Sequence, residues 1–154
     1  MKATNKDPRA RVSMFIHATP SEVYQAFVQP AQLKKFWLSE VSAPLSIGRA
    51  VHWKFFVKGA EIDATATEME DGAKLAWDWS DGSRVSIALE SLDGGTAITL
   101  VNDRLKGKGN ELVEAALNAT EGFAIVLADL KTTLELGQSA GLTKAKAHLI
   151  ALRA

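Results

Sequence analysis

Aromatic side chains carry the strongest chemical signal in this sequence. Trp53 and Phe55 alternate along one apolar segment, and Trp77 and Trp79 along another. Residues two apart on a strand share a face, so these four rings project to one side of neighbouring strands. Phe123 and Leu127 stand four residues apart in a helical pattern and are their counterparts across the core. Such a set can line an apolar ligand pocket. It can equally close the core on itself, because each aromatic ring buries roughly 150–250 Å². Buried indoles also need acceptors for their N–H groups. Asn102, Asp78 and Thr99 are candidates by location. An inward Asn102 would offer a ligand carbonyl or hydroxyl a polar anchor; alternatively, it ends its strand in solvent.

Little else in the chain can do chemistry. There is no cysteine, which excludes disulfides, thiolate metal sites and cysteine nucleophiles. His17, His52 and His148 lie far apart, and no metal-ligand spacing joins them. No phosphate loop, dinucleotide fingerprint, nucleophile elbow or His-Glu-x-x-His helix is present, so neither metal nor cofactor is expected. Glu61, Asp63 and Asp78 fall on strand faces opposite the apolar residues, and no carboxylate pair stands out as an acid–base dyad. Glu121 precedes a mid-helix glycine, Gly122, which costs roughly 1 kcal/mol against Ala and would permit a kink or close packing.

The 154 residues include 18 basic and 18 acidic side chains, a formal net charge of zero. That balance gives no bulk drive toward nucleic acid or an anionic membrane. The apolar run 123–128 is far short of the ~20 residues a membrane span needs. No signal-peptide core follows the charged first residues. These features predict a soluble cytoplasmic protein.

The elements that must position the aromatics are also readable. Residues 9–17 form a first strand. Thr19-Pro20-Ser21-Glu22 combines a capping box with proline at the first helical position, which starts a short helix over about 20–28. Pro30 restarts a second short helix ending near Phe36-Trp37. Asp-Gly occurs at 71–72, 81–82 and 93–94, each time between alternating apolar segments, and Lys58-Gly59 adds a fourth turn. Asp-Gly tolerates the positive φ angles of tight turns, so residues 51–102 form an antiparallel meander of five strands with one apolar face. After a Gly-rich break at 106–109 the period becomes helical from Asn110 to Leu136, and Gly137 stops it. Residues 142–152 form a small extra helix in a tail that carries Lys144, Lys146, His148 and Arg153 and no acid. The order predicts an α+β chain in which a curved antiparallel sheet of about six strands wraps around a long C-terminal helix, with two short helices after the first strand. Residues 9–137 make one domain and 138–154 a basic tail.

The order of these motifs resembles a known family. Ala18-Thr19-Pro20-Ser21-Glu22-Val23-Tyr24, Pro30, Leu33 and Phe36-Trp37 are followed by Gly48-Arg49, Leu75-Ala76-Trp77, Gly94-Gly95-Thr96 and Glu121-Gly122-Phe123. The pattern is similar to the activator-of-heat-shock-protein-90-ATPase homologue-like family, within the START-like, birch-pollen-allergen-like superfamily that has the helix-grip fold. The resemblance implies a cavity between sheet and long helix that often holds a hydrophobic small molecule. In this chain Trp53, Phe55, Trp77, Trp79, Asn102, Phe123 and Leu127 would line it, without catalysis. Two alternatives stay open. One is a regulator that docks on a chaperone or other protein through the sheet or the Phe36-Trp37 edge. The other is an enzyme of the cyclase or dehydratase kind. The family often carries His where this chain has Asn102 and Trp where it has Phe123, which argues against the enzyme. A homodimer through a strand edge or the tail helix is compatible with each reading.

Overall fold

The computed structural model describes residues 7–154. Strand β1 (Ala10–Ile16) leads into helices α1 (Pro20–Val28) and α2 (Pro30–Phe36). Six strands follow: β2 (Leu38–Val41), β3 (Ala50–Phe55), β4 (Glu61–Glu70), β5 (Lys74–Trp79), β6 (Arg84–Leu92) and β7 (Gly95–Asp103). Helices α3 (Asn110–Leu136) and α4 (Leu142–Leu152) complete the described chain. All strands join one antiparallel sheet in the order β1-β7-β6-β5-β4-β3-β2.

The α+β helix-grip architecture is the one expected, but the sheet has seven strands rather than about six. The additional strand, β2, pairs with β3. It is four residues long, too short to show a clear alternation, and only Trp37 separates it from α2. No turn residue announces it.

Local signals act as their chemistry requires. The Thr19 hydroxyl accepts from the Glu22 N–H at 3.1 Å, and the Glu22 carboxylate accepts from the Thr19 N–H at 2.9 Å. A cap of this kind contributes about 1 kcal/mol. Asp93 and Gly94 both have positive φ, 50° and 76°, as a two-residue type I′ hairpin turn between β6 and β7 demands. Beside that turn Gly95 has no room for a side chain, since a Cβ there would lie 2.6 Å from the Ile16 carbonyl oxygen.

Helix α3, with 27 residues, extends ~40 Å. Its last turns clasp β1. The Lys131 ammonium donates to the Phe15 carbonyl at 2.8 Å and to Glu135 at 2.6 Å, and Glu135 accepts from the His17 N–H at 2.8 Å. The His17 N–H, and then Lys131, hold the Glu135 carboxyl below the ordinary glutamate range. Between helix and sheet the core is apolar and aromatic, with Phe27, Leu33, Trp53, Trp77, Leu100 and Leu127 fully buried.

Candidate functional site

Strand β4 makes room for the indoles beside it. Ala64 lies opposite Trp79 and Ala66 opposite Trp77 on β5, while Trp53 projects from β3 on the other side. Two small residues between three large ones let the rings interlock. Trp53 and Trp77 meet edge-to-face with centroids 5.3 Å apart, and Trp53 and Trp79 at 5.4 Å. Trp37, the residue that ends α2, joins them. Its ring packs on Phe27, Trp53, Phe55, Trp77, Trp79 and Phe123 with centroids between 5.4 and 6.2 Å.

The indole partners differ from the expectation. The Nε1 groups of Trp53 and Trp77 are buried without a hydrogen-bond partner in the protein. Asp78 and Thr99 point to the opposite face of the pleat, as their places between inward residues require. Asn102 does point inward and is buried, but its amide donates to the Arg84 carbonyl at 2.9 Å. Each unpaired buried donor costs about 1–3 kcal/mol.

Open volume lies at the rim of this aromatic cluster, on two sides of the β3–β4 hairpin. One cleft of about 190 Å³ sits between that hairpin, the middle of α3 and α4. Its walls are Trp37, Phe55, Phe56, Val57, Ala60, Gly122, Ile125, Val126, Ala147 and Ile150, with Thr143 and Lys146 as the polar contributors. Helix α3 runs unbroken through Gly122, and no close approach requires the glycine, because a Cβ there would meet nothing within 4 Å. Its missing side chain leaves the cleft open. A second cleft, about 350 Å³, lies on the other side of the hairpin against Trp79, Asp81, Ser83, Asn102 and Leu105. Phe55 and Ala60 line both.

The seven residues singled out in the sequence therefore divide. Trp53, Trp77 and Leu127 are fully buried in the closed core. Phe55 faces both clefts, and Trp79 and Asn102 face the second. Phe123 is half-buried beside Trp37. Missing from the set were Trp37 and the wall supplied by α4. The run Phe36-Trp37-Leu38 at a helix end was the available signal, since three successive apolar residues there must bury against different neighbours. Phe36 and Trp37 are both buried, so the outer edge considered for partner docking is closed.

Charged groups hold the cleft rather than fill it. The buried Asp129 carboxylate of α3 accepts from the Ser139 hydroxyl and from the Thr143 N–H, and so caps the start of α4. The Thr143 hydroxyl donates onward to the Phe36 carbonyl. Farther along, Lys146 of α4 pairs with Glu121 of α3 at 2.8 Å. The outer face of the sheet carries a separate cluster. His52 meets Asp63 through Nδ1 and Glu61 through Nε2, each at 2.7 Å. The hydrogen bond to Asp63, then that to Glu61, raises the imidazole pKa above its ordinary value. His17, at the end of β1, and His148, on α4, do not join it, and among the described residues no His, Cys, Asp and Glu group has metal-binding geometry. Among the described residues no helix is long and apolar enough to cross a membrane.

An antiparallel sheet gripping a long C-terminal helix over an aromatic interior defines the helix-grip class. Residues 17–135 match the family described as activator of Hsp90 ATPase homolog 1-like protein, and the chain belongs to that family. Among solved structures it is similar to SSP2350 from Staphylococcus saprophyticus, with a TM-score of 0.73 at 24% identity over 85% of this chain and 94% of that one. It is similar to the Aha1 dimer from Colwellia psychrerythraea, with a TM-score of 0.74 at 21% identity over 84% of this chain and 97% of that one. It also resembles DynU16, a protein of the dynemicin biosynthetic locus, with a TM-score of 0.74 at 22% identity; 86% of this chain covers 49% of that one. At these identities the likeness is one of fold. No curated protein matches the chain by sequence.

Proposed function

We propose that this protein binds a small apolar molecule in the cleft between the β3–β4 hairpin, α3 and α4. The observation that carries this reading is Gly122, whose absent side chain keeps open an otherwise aromatic and aliphatic cleft of about 190 Å³. A dry cavity of ~150 Å³ accommodates benzene, so the cleft suits a molecule of about one ring. It is smaller than the ~300–1,000 Å³ of a drug-sized site. Lys146 supplies the cationic group at the wall, held by Glu121. A ligand with an anionic end would exchange for Glu121 there. On this reading the segment after Gly137 is a wall of the site and works with the domain it follows. Binding without chemistry fits the polar groups present, because Thr143 is committed to Phe36 and Asp129. The likeness to a protein of a biosynthetic locus agrees with a small-molecule partner.

Native mass spectrometry of gently purified protein, compared with the denatured sample, tests this directly. The expected result is an added mass that disappears on denaturation, or uptake of an offered single-ring probe that Gly122→Leu abolishes. Equal probe uptake by the wild-type and Gly122→Leu proteins would place the site elsewhere.

A further inference from the structure

Helix α4 runs back along α3. Thr143 lies at Asp129, Lys146 at Glu121, and Ile150 shares a cleft with Gly122. Because α4 ends at Leu152, it does not extend along the first ten residues of α3. Val113 and Leu117 are exposed there, Leu117 by 60%. They continue the helix stripe of Glu121, Ala124 and Ala128, which floors an apolar groove between α3 and α4. The outer stripe of α4, Ala145, Leu149 and Leu152, is also uncovered, with Leu152 exposed by 68%.

Charge divides along the same surface. From Asn110 to Leu130 the exposed face of α3 carries Glu111, Glu114 and Glu121 and no base, and Asp129 is buried. Helix α4 carries Lys144, Lys146 and His148 and no acid, with Arg153 just beyond. Only Lys146 and Glu121 of these meet in an ion pair within the described chain. Glu111 and Glu114 are exposed on the uncovered start of α3, and Lys144, His148 and Arg153 are exposed on and just after α4.

We propose that a second copy of this chain docks here, laying its basic α4 along the uncovered acidic start of α3, with a two-fold axis relating the copies. A surface carrying an acidic apolar strip beside a basic apolar one is complementary to itself under such an axis, and the contact is then made twice. An anionic bilayer is the weaker fit, because it would meet the glutamates of α3 together with the lysines of α4. Opposed strips give electrostatic attraction that salt screens.

Light scattering on the eluting protein, at low and high salt over a range of chain concentrations, reads the outcome. The expected result is twice the chain mass at low salt, shifting toward the monomer as salt rises. Leu117→Asp should raise the dimer dissociation constant by more than about tenfold while leaving the circular dichroism of the folded chain unchanged. Glu114→Lys should weaken the dimer, and adding Arg153→Glu should restore it. A monomer at every concentration overturns the proposal, as does a dimer indifferent to Leu117→Asp or a Glu114→Lys protein that Arg153→Glu does not rescue. Co-sedimentation of a monomeric wild-type chain with phosphatidylserine vesicles would also overturn it and assign the surface to lipid.

Discussion

Gly122 offers a test in which stability and binding should move in opposite directions. In a helix interior glycine is roughly 1 kcal/mol less favourable than alanine, because it loses more backbone freedom on folding. A substituent normally offsets part of that gain by crowding its neighbours. Here it meets none, since a Cβ at Gly122 has no atom within 4 Å. Gly122→Ala should therefore deliver nearly the full ~1 kcal/mol, which for a chain of this size raises the melting temperature by about 2–4 °C. Gly122→Leu should stabilise at least as much, because leucine is nearly as good a helix former and its side chain enters apolar space. The same leucine fills the cleft of about 190 Å³ and should abolish uptake of a single-ring probe. Differential scanning calorimetry and probe titration on the wild type and both variants complete the experiment. A lower melting temperature for Gly122→Ala would refute the open geometry. A stabilised Gly122→Leu that still takes up the probe would refute the assignment of the cleft.

The remaining predictions concern the elements around the cleft. Asp129→Ala strips the cap from α4 and leaves the Ser139 and Thr143 donors unpaired; it should destabilise by about 3 kcal/mol in urea unfolding and speed proteolysis between Gly137 and Gly141. His52 has a raised pKa, so its contribution to stability is fully present below its ordinary value of 6.5 and is lost as pH rises through the higher folded value. An NMR titration should place its midpoint above 6.5, and Asp63→Asn should bring it down. Glu135, with its pKa held low, stabilises above the ordinary glutamate value and loses that contribution as pH falls through the depressed one. Lys131→Met should bring the acid-induced loss to a higher pH in circular dichroism. Thr19→Ala removes one half of the α1 capping box and should cost about 1 kcal/mol by thermal melting.

Features encoded within a few residues were legible in the sequence. The Asp-Gly turns, the capping box at Thr19 and Glu22, the stop at Gly137 and the inward alternation of Trp53, Trp77 and Trp79 each depend on near neighbours, and each is present. Strand β2 was not legible, because four residues beside a helix end take their strand character from partners on β3 that lie 12 to 17 residues further on, as in Val41 with Trp53 and Leu38 with Phe55. The partners of the indoles could not be read either. Location along the chain put Asn102 near them, but its amide bonds to the neighbouring strand at Arg84. The cleft itself depends on how α4 folds back, and that is fixed by Asp129 reaching residues 139–143. A buried aspartate in an otherwise apolar stretch, Ala124 to Leu130, was the one trace of this in the sequence.

Where a helix-grip interior is filled by its own side chains, any ligand must be held at the rim. Alanines 64 and 66 let Trp53, Trp77 and Trp79 interlock, and Trp37 seals the cluster from the α2 side. The cleft beside Gly122 is bounded by α4, and α4 is held by the Asp129 carboxylate, the Thr143–Phe36 hydrogen bond, one ion pair and a short apolar contact. Ligand affinity and the docking of α4 must therefore be thermodynamically linked. Any molecule that touches both α3 and α4 binds the docked state better than the detached one and stabilises it by mass action. Conversely, weakening the Asp129 cap lowers the fraction of protein with a complete cleft and weakens binding by the same factor, although Asp129 touches no ligand.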